Sequence, residues 1–463
     1  MPRTPRRPAR RRPVRLPPEL RSVNLHAAGI DIGAASHFVA VPEGRDADGR
    51  TVREFATFTA DLYALATWLT ACGIETVAME STGIYWIPLF EVLSARGFDV
   101  KLVDPRQLKH VPGRKTDVLD CQWLQQLHTF GLLAAAFRPD DAICVLRGYL
   151  RQRAMLVTCA AQHIQHMQKA LEQMNVKLPE VVTDVTGVTG MAIIRAILAG
   201  ERKPETLATL RDRRCHHDQA TIARALEGTW REEHVFALRQ AVDLFDVYQS
   251  KIADCDRTIE SCLHGFADRS DGDALPSIPR SSKRPRNAPA FDARTHLHRL
   301  TGVDLTRVDG IDAHSALKVV AEIGLDMSRW PTEKHFASWL SVSPGNKISG
   351  GKLLTSRTKH SANRVAAVLR MAASTLHQSR SALGAFFRRL KARLGAPKAI
   401  TATAHKLACL IYNMLKHGTE YVDQGQQYYE HRYQQRVLST LSRRAQELGY
   451  HLVKAPDATP LPA

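Results

Sequence analysis

Residues 27–44 read AAGIDIGAASHFVAVPEG. An apolar run stops at a glycine, turns and resumes with β-branched and aromatic residues, the pattern of two strands joined by a tight turn. A further strand partner is expected around Arg53–Thr59. Helical period then covers Leu62–Cys72, a short β-rich run Glu75–Glu80, a helix Ile87–Arg96 up to Gly97, a strand Asp99–Val103, and a helix from Asp117 through Leu127. Strands first, then alternating helix and strand, predict a mixed α/β layer domain of about 115 residues, spanning 25–140.

The 463-residue chain has room for more than that domain. Residues 1–24 are an Arg/Pro-rich arm, where missing backbone donors and like-charge repulsion predict disorder. Residues 141–267 read as helical, with long amphipathic stretches at Leu146–Met174 and Glu232–His264 and shorter ones at Thr186–Gly200 and Leu207–Leu226. A helical hairpin or coiled-coil arm fits, although a strict heptad is not sustained. Residues 268–294 are Pro/Ser/Arg-rich and read as a linker. A mainly α domain follows at 295–420. In it, Gly302–Gly324 resembles a helix-hairpin-helix or an ordinary αα-hairpin, and Ala362–Leu376 and Ala396–Lys416 are further helices. Residues 421–463 are expected to form a C-terminal helix and a tail frayed beyond Val453.

Charge is distributed unevenly. Lys and Arg total 64 against 46 Asp and Glu, a net +18. Residues 1–26 carry +7 and 281–463 carry +16, so the middle is slightly acidic. From Lys334 to Thr419 there are fifteen Lys or Arg and no acid. Soluble surfaces normally mix signs, so this stretch predicts a polyanion-binding surface. The eight cysteines contain no CxxC pair, and Cys215-His216-His217 has no partner pair at finger spacing, which favours reduced thiols over zinc. No apolar run approaches the ~18 residues of a membrane span, so a cytoplasmic protein is expected.

Four acids stand where chemistry is expected. Asp31 lies inside the apolar strand GIDIG, where an isolated carboxylate is costly. Glu80 ends VAME. Asp117 and Asp120, in KTDVLDCQW, are three apart and share a helix face. Strand ends and a helix start can converge on one edge. Carboxylates ~4 Å apart would repel by ~4 kcal/mol, so such a cluster makes sense around cations, and hard oxygen donors favour Mg²⁺ or Mn²⁺. Two such ions can clamp a phosphodiester. Each acid also has a plain use: Asp117 suits a helix cap, Asp120 the helix dipole and Glu80 a strand end. GIDIG also fits an actin- or sugar-kinase-like phosphate turn, but the basic C-terminal region has no role there.

The segment SVSPGNKISGGKLLTSRTKHSANR is rich in Gly, Ser and Lys. Ser349 precedes Gly350-Gly351-Lys352, with Lys347, Arg357, Lys359 and Arg364 close by. Glycines let backbone approach a phosphate and the cations neutralise it. The loop could grip phosphate without any nucleophile, since no His/Asp partner is near to activate the serine.

GIDIGAASHFVAV, AMESTGIYW, GRKTDVLDCQWL and ISGGKLLTSR, in that order, resemble the DEDD-type transposases of insertion-sequence family one-hundred-ten, which includes the Piv invertases. The likeness runs from about Ala27 to Lys416. It implies a RuvC-like (RNase H-type) N-terminal domain whose metal-binding acids are Asp31, Glu80, Asp117 and Asp120. It implies a serine that attacks DNA, Ser349 rather than Ser356, and a composite site with acids and serine from different subunits of a dimer or tetramer. It also implies DNA and a structured non-coding guide RNA as partners, with no membrane. The arm, the 268–294 stretch and Cys121, where a small residue is expected, depart from the pattern. A metal-dependent junction resolvase using water as nucleophile is the alternative enzyme; a nucleic-acid-binding structural protein is the non-enzymatic one.

Overall fold

The computed structural model describes residues 22–81, 83–105, 116–270, 272, 275 and 287–453. The arm up to residue 21, most of the expected linker and the tail after 453 lie outside the described residues. The chain divides into two compact units, Met1–Arg138 and Pro139–Ala463.

In the first unit, β1 (Ala27–Ile32), β2 (Ser36–Ala40) and β3 (Val52–Ala56) form an antiparallel meander. β4 (Thr76–Glu80) and β5 (Asp99–Val103) add parallel strands on the other side of β1, giving the order β3-β2-β1-β4-β5. Side chains alternate across a strand, so each face can be read from its packing. Ala28, Ile30, Ile32, Val77 and Met79 pack on Leu62, Leu65 and Leu69 of α1 (Thr59–Ala71) and Leu89 and Leu93 of α2 (Trp86–Ala95). On the opposite face, Ala78 and Val103 pack on Trp123 and Leu124 of α3 (Asp117–Thr129).

Gly29 belongs to the α3 face. A Cβ there would come within 2.3 Å of the Gln125 amide nitrogen and 2.5 Å of the Cys121 carbonyl oxygen, so glycine is required for the helix to lie this close. At the far end of α3, His128 Nε2 is 2.9 Å from the Thr76 hydroxyl at the start of β4, and Asn24 donates to the His128 carbonyl at 2.7 Å. α3 therefore runs antiparallel to β1 and β4, and its first turn overlies their carboxyl ends.

In the second unit, α4 (Asp141–Gln173) and α9 (Glu232–His264) are an antiparallel pair, each 33 residues long. Between them in sequence stand α5 (Leu178–Val181), α6 (Val188–Leu198), α7 (Pro204–Ala208) and α8 (Gln219–Ala225), which share one apolar core with the long pair. Register is fixed by a buried ion pair, Arg153 to Asp256 at 2.5 Å, and by His163 stacked on Tyr248 at 5.3 Å. Arg153 also donates to the Asn287 carbonyl at 3.1 Å, and Asp256 accepts from the Ala290 amide at 2.9 Å. The continuous helix expected over Leu207–Leu226 is not formed. Asp212 accepts from the Arg214 amide at 2.9 Å, turning the chain, and α8 starts only after Asp218, which caps it through the Thr221 amide.

The rest of this unit is mainly helical: α10 (Ala293–Thr301), α11 (Ala313–Ile323), α12 (Glu333–Trp339), α13 (Arg364–Thr375), α14 (Ala382–Leu394), α15 (Ala396–His417) and α16 (Gly425–Glu447), with one β-hairpin between α12 and α13. Of the two helices expected within Gly302–Gly324, the second forms as α11 and the first is shortened to a 3-10 turn. Between α10 and α11 there is only a 3-10 turn at Leu305–Arg307, because Gly302 ends α10 with φ of 74° and Asp312 caps α11 through Ser315. The turn at Gly310 packs closely on α13: a Cβ there would meet the Ala372 carbonyl at 2.8 Å.

His128 is buried, and burial followed by the Lys101 ammonium pushes it down to about 4, against the pull of Asp99. The unfolded chain takes up this proton below about pH 6.5, the folded one only near 4. The stability that neutral His128 contributes is complete above pH 6.5 and is lost as pH falls toward 4. Thermal denaturation followed across that window should show a falling Tm, with a shallower fall in His128→Gln.

Candidate active site and basic surface

The acid site is assembled by strand alternation and helix direction. Asp31 shares a face with Gly29, and Glu80 shares one with Thr76 and Ala78, so both are on the α3 side. The parallel register pairs Ile30 with Met79; continued by one residue it sets Asp31 beside Glu80 on adjacent strands. Both are half-buried. The first turn of α3 carries Asp117, exposed, and Asp120, half-buried. The helix is capped by Thr116, whose hydroxyl accepts from the Leu119 amide at 3.3 Å, so Asp117 is not the cap that its position in the sequence suggested. Cys121 reports the proximity of these charges. Its thiol is pushed up to about 12 first by burial, then by the Asp31 carboxylate, with a smaller push from Asp120. Its Sγ donates to the Val118 carbonyl at 3.1 Å.

The donor chemistry suits a hard divalent ion, since all four groups are carboxylates. Their arrangement is looser than a finished site: among the described residues, no three His, Cys, Asp or Glu side chains stand as a group able to hold a metal ion.

The serine segment folds as a β-hairpin, where sequence suggested a loop. β6 (Lys347–Ser349) and β7 (Lys352–Thr355) pair antiparallel, with Ser349 opposite Lys352. Gly350 and Gly351 turn with φ of 54° and 75°, the positive values that a two-residue hairpin turn of this hand needs. The hairpin projects into solvent: Ser349, Ile348, Leu353 and Leu354 are all exposed. No hydrogen bond holds the side chain of Ser349 or Ser356 among the described residues. Lys347, Lys352, Arg357, Lys359 and Arg364 are likewise exposed and make no ion pair among the described residues. Five uncompensated cations on and beside one hairpin form a local positive field.

An α/β unit that sets Asp31 and Glu80 on adjacent strands, in a chain that also carries a basic hairpin, is compatible with an enzyme acting on DNA strands. Residues 28–176 match a DEDD-type IS110 family model described as Transposase, and residues 304–388 match one described as Transposase IS116/IS110/IS902 family. The chain belongs to this transposase family and is a DNA transposase that binds DNA. No curated protein matches it. Among the described residues no helix is long and apolar enough to cross a membrane.

Gly29→Ala tests the helix–strand contact. The methyl group meets backbone on both sides, so it should cost ~1–3 kcal/mol in denaturant unfolding and push α3, with Asp117 and Asp120, away from Asp31. Transposition should fall further than the loss of folded protein explains.

Proposed function

We propose that the chain cleaves and rejoins DNA strands with a RuvC-like acidic tetrad and a serine nucleophile. The observation that carries this reading is the placement of Asp31 and Glu80 on one sheet face beneath the first turn of α3. An antiparallel meander extended by parallel strands, with helices on both faces, is compatible with the RuvC-like fold. Asp31, Glu80, Asp117 and Asp120 would hold Mg²⁺ or Mn²⁺, and the account requires them to draw together on binding. Such ions, when bound, would polarise the scissile phosphate and ease ionisation of a hydroxyl.

Ser349 is the nucleophile in this reading. Its oxygen would attack phosphorus as the 3′ or 5′ oxygen of the broken strand departs and takes up the proton lost by the serine hydroxyl, and the serine phosphodiester conserves the bond energy for rejoining. The Lys352 ammonium, across the hairpin from Ser349, would balance charge building on the phosphate. Lys347, Arg357, Lys359 and Arg364 would hold neighbouring phosphates, so log K should fall against log salt by ~0.9 per phosphate contacted. A structured guide RNA would lie on the same kind of basic surface, and a homo-oligomer would bring serine and acids together from different copies. A cytoplasmic site of action completes the proposal.

The solvent-exposed Ser349, with no base at its hydroxyl, keeps a second reading in view: a junction resolvase in which water attacks. Two variants decide. Asp31→Asn should lower strand cleavage by at least the ~100-fold that loss of an outer-shell partner can cost a metal site, with DNA binding by gel shift nearly unchanged; full cleavage by this variant would remove the metal site from the account. Ser349→Ala should abolish the covalent protein–DNA adduct trapped on a nicked substrate. An adduct that survives assigns the nucleophile elsewhere, and metal-dependent cleavage without any adduct in wild type would establish the water mechanism.

A further inference from the structure

α16 is 23 residues long and buries none of them, yet it leans on α14 through a specific set of side chains. Phe386 meets Tyr429 edge-on, with centroids 6.2 Å apart. The Arg389 guanidinium lies 3.4 Å from the Tyr433 ring centre and 5.7 Å from that of Tyr429. Arg388 donates to the Gln426 side chain at 2.8 Å. Helical spacing then places a second row beside the first: Tyr428, Arg432 and Arg436 follow at intervals of four, and Arg432 lies 5.7 Å from the Tyr428 ring.

Between the two helices, floored by α15, is a cavity of about 330 Å³. Its walls carry five aromatic rings and the cations Lys406, Arg432 and Arg436, and no acid. Of the nearby acids, Asp423 stands behind the wall and accepts from the Ala382 amide at 3.0 Å and from the Tyr421 hydroxyl, and Glu430 accepts from Gln426 at 2.7 Å. Tyr428 is 44% exposed at the mouth.

Aromatic faces interleaved with arginines, in an acid-free wall, suit a flat ring attached to an anionic backbone. Each base offers a π-face whatever its identity, and each phosphate a charge. A duplex has its bases stacked inside and cannot present one to this cleft. We propose that the cleft between α14 and α16 is a stacking site for unpaired bases of a single-stranded nucleic acid. The proposal rests on reading the chain as a nucleic-acid enzyme, but it needs neither the metal site nor the serine.

The test is fluorescence anisotropy of the full chain with labelled dT15, rU15 and a 15-bp duplex at one fixed salt concentration. Tyr428→Ala should weaken both single strands about tenfold and leave the duplex within twofold, while Tyr428→Phe, which keeps the ring, should bind like wild type. A larger loss for rU15 than for dT15 assigns the cleft to RNA, and the reverse assigns it to a displaced DNA strand; either supports the site. Unchanged single-strand binding in Tyr428→Ala overturns it, as does an equal loss on the duplex. Photocrosslinking of wild type to 5-iodouracil dT15 gives a readout independent of any variant: adducts within 421–436 support the site, and adducts only elsewhere overturn it. These assays involve no cleavage, so a chain that keeps the Tyr428 effect while Asp31→Asn leaves cleavage intact would refute the tetrad and retain the cleft.

Discussion

The close approach of α3 to β1 at Gly29 is the constraint on which the acid site depends. With no side chain at that position, a helix backbone lies directly on a strand backbone. The contact fixes the height of α3 over the sheet, and His128 against Thr76 fixes its direction. Together they bring the start of one element over the ends of two others. Three segments separated in sequence then supply carboxylates to one edge, and the nearby Cys121 thiol is pushed up first by burial and then by the Asp31 carboxylate.

The second unit is organised by a different device. Arg153 and Asp256 are both nearly fully buried between α4 and α9. Removing one partner of such a pair strands a charge, so the pair fixes register more than it adds stability. Asn287 and Ala290 join the same network, which ties the C-terminal part of the expected linker back to the helices. The hairpin carrying Ser349 has no such anchoring. Two short strands with exposed apolar residues are marginal alone.

Much of the α/β unit was legible because its signals are local. Apolar alternation gave β1 and β2, Gly97 gave the end of α2, and Asp31 was conspicuous as a charge within an apolar strand. The 33-residue α9 was readable from its amphipathic period alone. What failed was local in appearance but settled by tertiary contacts. Gly310 resembles a hairpin glycine until α13 is packed against it, and Leu207–Leu226 keeps helical period across a turn made by Asp212. Asp117 resembled a cap because Thr116, one residue earlier, is an equally good one. The segment around Gly350-Gly351 was read as a loop, although two glycines between short β-prone runs also signal a hairpin. The Tyr428–Arg432–Arg436 row was missed because its meaning comes from α14, some forty residues away.

The central claim is that the edge formed by β1, β4 and the first turn of α3 binds divalent cations. Anomalous diffraction from crystals of the chain grown with Mn²⁺ measures this directly. The account predicts an anomalous peak within coordination distance, ~2.2 Å, of oxygens from Asp31 and Glu80, with Asp117 or Asp120 drawn in to join them. Manganese peaks only elsewhere on the molecule, or an empty edge with these carboxylates paired to protein cations, would contradict it.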